Sequence, residues 1–100
     1  MLILFCLKLL YPDEVMLHRG NHEEKRINRL YSLLHRLDSH YRYSYETEVR
    51  AKYDGKMFDH ISNCFAMLPL GTVLHKTCLI VHGGLPKEEN VTLDEIGRYF

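Results

Sequence analysis

The run Val15-Met16-Leu17-His18-Arg19-Gly20-Asn21-His22-Glu23-Glu24 constrains the chain most, because an apolar segment stops at Arg19-Gly20 and hands over at once to chemically capable side chains. Such a change is expected where a strand ends at the edge of a sheet, and ligand sites of α/β sheets form outside the carboxyl ends of strands. Residues 77–81 have the same grammar: the run is apolar and β-branched, and it ends in His82-Gly83-Gly84. Two strands are therefore expected to deliver polar groups at their C-terminal ends.

Composition narrows what those groups can serve. One hundred residues leave room for at most one domain with a modest core. Thirteen basic residues balance thirteen acidic ones, which argues against the basic field that nucleic-acid binding requires. Tyrosine and arginine interleave over residues 40–45, a pattern able to stack on bases, but one short patch on a neutral chain reads as a surface loop. Cys6, Cys64 and Cys78 form no Cys-x-x-Cys pair, so free thiols in a reducing compartment, cytoplasm or nucleus, are expected. The apolar start over residues 1–10 falls short of the roughly 20 residues a membrane span takes, and it lacks a leader's basic segment and cleavage site. It reads as a buried helix closed by Pro12, with no membrane role.

In order, the pattern predicts a turn over 11–14 and a short strand over 15–18, buried on both faces. Ile27, Leu30, Tyr31, Leu34 and Leu37 then fall at helical spacing, which predicts an amphipathic helix over about 24–38. A second helix is expected over 46–53, stopped by Asp54-Gly55, and a third from Met57 to Leu68, ended by Pro69. Residues 70–74 and 77–81 read as two strands of a β-hairpin, although His75-Lys76 is a poor pair for the favoured turns. Thr92 is placed as the N-cap of a last helix over 92–99, with Glu95 as its capping-box partner.

Four side chains carry candidate chemistry. His18 and His22 have the i, i+4 spacing of a zinc-binding helix face, but Gly20 between them argues against a helix. Asn21 is open between capping the next helix, with Glu24 completing the box, and giving its neutral amide oxygen to a metal ion. His22, one residue later, is suited to proton exchange near neutral pH. His82 is open between metal ligand and satisfied structural group, with Gly83-Gly84 allowing a sharp turn or close approach to a ligand.

The words Leu9-Leu10-Tyr11-Pro12, His18-Arg19-Gly20-Asn21-His22-Glu23, Ile27-Asn28-Arg29-Leu30-Tyr31, Leu68-Pro69-Leu70 and His82-Gly83-Gly84-Leu85, in this order and spacing, resemble the phosphoprotein phosphatase family of serine/threonine phosphatases. The resemblance implies an α/β fold, the calcineurin-like metallophosphoesterase β-sandwich flanked by helices, of which residues 1–100 form a central, partial catalytic domain. It implies that Asn21 and His82 are ligands of one of two metal ions (manganese, iron or zinc), that Asn21 also reaches substrate phosphate, and that His22 is the catalytic proton donor. Arg19 and Glu23 are then structural supports of the loop. In such enzymes a metal-held hydroxide attacks phosphorus and an acid protonates the departing serine or threonine oxygen of a phosphoprotein substrate.

Departures from the family pattern shape the expected activity. The Gly-Asp-x-His-Gly and Gly-Asp-x-Val-Asp-Arg-Gly motifs, and a downstream histidine and arginine, are absent from the sequence. The chain therefore reads as a domain truncated at both ends, inactive by itself. His18 stands where the family usually has an apolar residue, and an insertion over about 32–44 replaces a short turn, continuing the helical period. Two other functions are compatible with the same residues. One is a non-catalytic remnant that serves as an interaction module. The other is a metallophosphoesterase directed at nucleotides or phosphodiesters, which Leu-Pro-Leu followed by His-Gly-Gly-Leu disfavours.

Overall fold

The computed structural model describes residues 1–37, 44–84 and 86–98. In chain order these form α1 (Leu2–Leu10), a single 3₁₀ turn (Asn21–Glu23), α2 (Lys25–Leu37), α3 (Tyr45–Lys52), α4 (Gly55–Ala66), β1 (Gly71–Leu74), β2 (Cys78–Val81) and α5 (Leu93–Arg98). The chain divides into two compact units, Arg19–Leu68 and Met1–His18 with Pro69–Phe100.

The unit Arg19–Leu68 is helical and has a core. Phe58, Ile61 and Phe65 recur along one face of α4 and are buried with Val49 of α3, and the Tyr45 ring lies tilted on Phe65 at 5.7 Å. Burying a Phe or Ile side chain fully contributes about 1.5–3 kcal/mol, so these few residues dominate the unit's apolar stabilisation. Burial also pushes the Tyr45 phenol above its ordinary pKa, and the nearby Glu48 carboxylate adds to the effect. Ser44 caps α3 by accepting the Thr47 N–H at 3.3 Å. Glutamates in the first turn of α3 and Arg50 and Lys52 in its last suit the helix dipole.

Two expectations change here. Asp54-Gly55 starts α4 instead of stopping α3: the Asp54 Oδ1 accepts the Met57 N–H at 2.7 Å. A C-terminal stop would place Gly55 in the left-handed region, whereas Gly84 is the one described glycine with positive φ. The second change is the face that α2 buries. Its range matches the expected one to a residue at its start, and Asp38 lies outside the described residues. Yet Asn28 and Ser32 are its buried side chains, while Leu30 and Leu37 of the expected stripe are 54% and 84% exposed. The α2–α3 interface is built from hydrogen bonds: Asn28 Oδ1 accepts the Glu46 N–H at 2.9 Å, and the Ser32 and Thr47 hydroxyls meet at 3.0 Å. Arg50 ion-pairs with the buried Glu46 at 2.9 Å. Polar side chains at an interface are held inside when both ends find partners, and a hydrophobic pattern carries no trace of that.

The second unit is built differently. Every buried residue among those described lies in Arg19–Leu68. Helix α1 forms as expected but is not buried: Ile3, Leu9 and Leu10 are 76%, 82% and 70% exposed. Apolar character supplies no second surface, and the described residues of this unit do not cover the helix. Residues 15–18, expected as a strand, form none, because the sheet consists of β1 and β2 alone and offers them no ladder partner. The hairpin itself is as expected, antiparallel with Gly71 opposite Val81 and Leu74 opposite Cys78. Gly71 is required for its close approach, since an added Cβ would lie 2.7 Å from the Ile80 carbonyl oxygen. His75 and Lys76 both adopt positive φ, 50° and 59°, with the Thr77 N–H bonded to the Leu74 carbonyl at 3.1 Å. The poor turn pair is thus forced into the conformation that Asn-Gly takes with less strain. Before α5, Thr92 and Glu95 form the expected capping box: the Thr92 N–H donates to Glu95 Oε2 at 2.8 Å and the Glu95 N–H to Thr92 Oγ1 at 3.3 Å. Residue 99 lies outside the described residues. All three cysteines are free thiols, and no described helix is long and apolar enough to cross a membrane.

Candidate functional site

The loop that carries Asn21 and His22 is braced on both sides by carboxylates. The Gly20 N–H donates to Glu23 Oε2 at 2.9 Å, and the Glu23 N–H returns to the Gly20 carbonyl at 3.3 Å. This reciprocal pair closes the 3₁₀ turn. Arg19, the other expected support, is part-buried. At the start of α2, Glu24 Oε2 accepts the Ile27 N–H at 2.8 Å. The Glu24 carboxylate therefore satisfies a first-turn donor of α2. Asn21 itself is exposed, and its carbonyl accepts the Glu24 N–H at 3.4 Å.

His22 is also exposed, but its ring is not adrift. It stacks on the Tyr31 ring with centroids 4.8 Å apart and planes 24° from parallel. One face of the imidazole is covered while the residue as a whole stays exposed. Its carbonyl accepts the Asn28 amide at 3.0 Å. Neither Asn28 nor Tyr31 was assigned a role from the sequence. The signal that could have found them is the run Ile27-Asn28-Arg29-Leu30-Tyr31, which holds both, with the polar Asn28 and Ser32 one helical turn apart beside the apolar stripe.

The other candidates belong to the second unit. His18 Nε2 lies 2.7 Å from the Thr72 hydroxyl, so an imidazole in a place expected to be apolar finds a polar partner within its own unit. His82 follows β2 directly and is exposed, with Gly84 two residues on at φ +70°. The backbone bends at His82-Gly83, and Leu85 of the same motif lies outside the described residues.

A metal ion is what the family resemblance implies for Asn21 and His82. The donor set tests the idea: it offers one amide oxygen and one imidazole, and no cluster of three His, Cys, Asp or Glu occurs among the described residues. Catalytic metal sites use three or more protein ligands, and a dinuclear one needs a bridging group as well. The described residues of this chain do not by themselves make up a metal centre.

Comparison with known proteins points one way. The calcineurin-like phosphoesterase family matches residues 1–100. The chain is 43% identical to human serine/threonine-protein phosphatase 5 over 97 residues, which is 97% of this chain and 17% of that protein. It is 41% identical to serine/threonine-protein phosphatase T of Schizosaccharomyces pombe over 93 residues, 93% of this chain and again 17% of the relative. A solved Saccharomyces cerevisiae protein serine/threonine phosphatase, described as similar to human phosphatase PP5, superposes with a TM-score of 0.77 at 34% identity; the match covers 94% of this chain and 26% of that one. The chain thus spans about a sixth of the length of these curated relatives. On the family match over its whole length and this shared fold, the chain is a member of the calcineurin-like phosphoesterase family, with serine/threonine phosphatases as its relatives.

Proposed function

We propose that this chain is a segment of a protein serine/threonine phosphatase, in which His22 protonates the departing serine or threonine oxygen and Asn21 contacts the phosphate. One observation carries the reading. An exposed imidazole, stacked on one face and tied through its backbone, stands directly after an exposed amide on a turn closed by Glu23. A general acid must be held at its task and remain reachable by substrate, and this arrangement meets both needs. The names of the relatives supply the reaction class. Asn21 and His82 would contribute two donors to the metal ions such an enzyme uses. Since two donors are too few, the 100-residue chain is inactive alone in this account.

Two assays test it. The isolated chain, given a phosphoserine peptide and manganese, should turn over no faster than its His22→Ala variant; faster turnover would refute the inactivity. Grafted in place of the matched segment of the Saccharomyces cerevisiae phosphatase, the chain should support hydrolysis of the peptide in preference to a cyclic nucleotide. His22→Ala should then lower kcat by about 10²–10⁴-fold, the usual worth of a positioned acid. A folded graft indifferent to that substitution, or one preferring the cyclic nucleotide, would contradict the proposal.

A further inference from the structure

The Asn28 side chain is only 4% exposed, and it uses both ends of its amide on two segments distant in sequence. Its Nδ2 donates to the His22 carbonyl at 3.0 Å, and its Oδ1 accepts the Glu46 N–H, a first-turn donor of α3, at 2.9 Å. An amide is suited to this because it presents a donor and an acceptor side by side; a carboxylate or an aliphatic side chain of equal size serves at most one of the two partners. The Glu46 N–H is among the helix donors that lack an intrahelical partner, so the contact meets a need at both ends. His22 is then held at two points, its backbone and its ring. Asn28 fixes its backbone, and Tyr31, one helical turn further along α2, covers its ring.

We infer that Asn28 is a positioning residue: it locks the Asn21-His22 turn to the N-terminus of α3 and so holds the His22 imidazole on Tyr31. The inference rests on the reading of His22 as proton donor for its functional meaning, but not for its measurement.

The test uses the full 100-residue chain, without metal or substrate. Nuclear magnetic resonance should detect a scalar coupling across the hydrogen bond from Asn28 Nδ2 to the His22 carbonyl in the unsubstituted chain. Asn28→Asp keeps the acceptor for Glu46 and removes the donor to His22. It should speed amide exchange at residues 21–24 by about two- to tenfold, the equivalent of one lost hydrogen bond of ordinary worth, with Glu46 still protected. The ring protons of His22 should move toward their unstacked shifts. Asn28→Leu should release Glu46 as well. If no coupling is found, or if exchange rises equally throughout Arg19–Leu68, or His22 keeps its stacked shifts, Asn28 is a packing residue and the inference fails. If instead the lock is confirmed while the grafted enzyme ignores His22→Ala, the positioning stands and the phosphatase reading falls.

Discussion

The two units of this chain treat their apolar residues differently: the unit with fewer of them buries a core, and the richer one shows them. In Arg19–Leu68, α3 and α4 close on Val49, Phe58, Ile61 and Phe65, and the polar groups drawn inside are paired. In the other unit, α1 and the hairpin leave Ile3, Leu9, Val73 and Ile80 between 41% and 82% exposed. The difference lies in partners. Helices meet their backbone hydrogen bonds internally and need only one more surface, whereas a two-stranded hairpin is marginal in water until a third strand or a helix covers a face. The candidate turn at Asn21-His22 falls in the half that supports itself.

The largest expected effect follows from that contrast. Phe58, fully buried, should cost about 3–5 kcal/mol when changed to Ala, enough to unfold a unit of this size. Ile80→Ala, at a side chain 41% exposed, should cost under about 1 kcal/mol. Urea unfolding of both variants measures the gap, and equal costs would mean that the hairpin is buried in solution. Next in size is a gain. Replacing His75-Lys76 by Asn-Gly removes the penalty of two left-handed side chains, and should stabilise the hairpin by about 1 kcal/mol, read as slower amide exchange in β1 and β2. No gain would show that the turn is not left-handed in solution.

The smallest effect is a pH dependence in α5. Hydrogen bonds from the backbone and the hydroxyl of Thr92 hold the exposed Glu95 carboxyl below its ordinary value of 4.5. A group with a depressed folded pKa adds stability above its unfolded pKa and loses it as pH falls through the folded one. Helical content at residues 93–98 should therefore decline on acidification below about 4.5, and Glu95→Gln should flatten that response. A response unchanged by Glu95→Gln would assign the titration elsewhere.

Local signals were legible in the sequence and partnerships were not. The Thr92–Glu95 box, the extents of α1, α2 and α3, and the paired strands β1 and β2 all follow from spacing and capping within a few residues. Where the outcome depended on a distant partner, the pattern misled. Val15 to His18 has strand composition and no strand beside it, and α1 has the composition of a buried helix without a cover. Asp54 looks like an end because Asp-Gly often is one, but its carboxylate serves whichever first turn follows it. The site shows the same division. Asn21, His22 and His82 stood out as residue types after apolar runs, whereas Asn28 and Tyr31 matter through what they touch across α2 and α3.

The central claim is that Arg19–Leu68 holds the Asn21-His22 turn in place with its own contacts, and residue-resolved amide exchange on the unsubstituted chain tests it most directly. The account predicts strong protection at Ile61, Phe65 and Glu46, measurable protection at Gly20 and Ile27, whose amides donate to Glu23 and Glu24, and near-intrinsic exchange along β1 and β2. Fast exchange at Gly20, Ile27 and Glu46 beside a protected hairpin would contradict it.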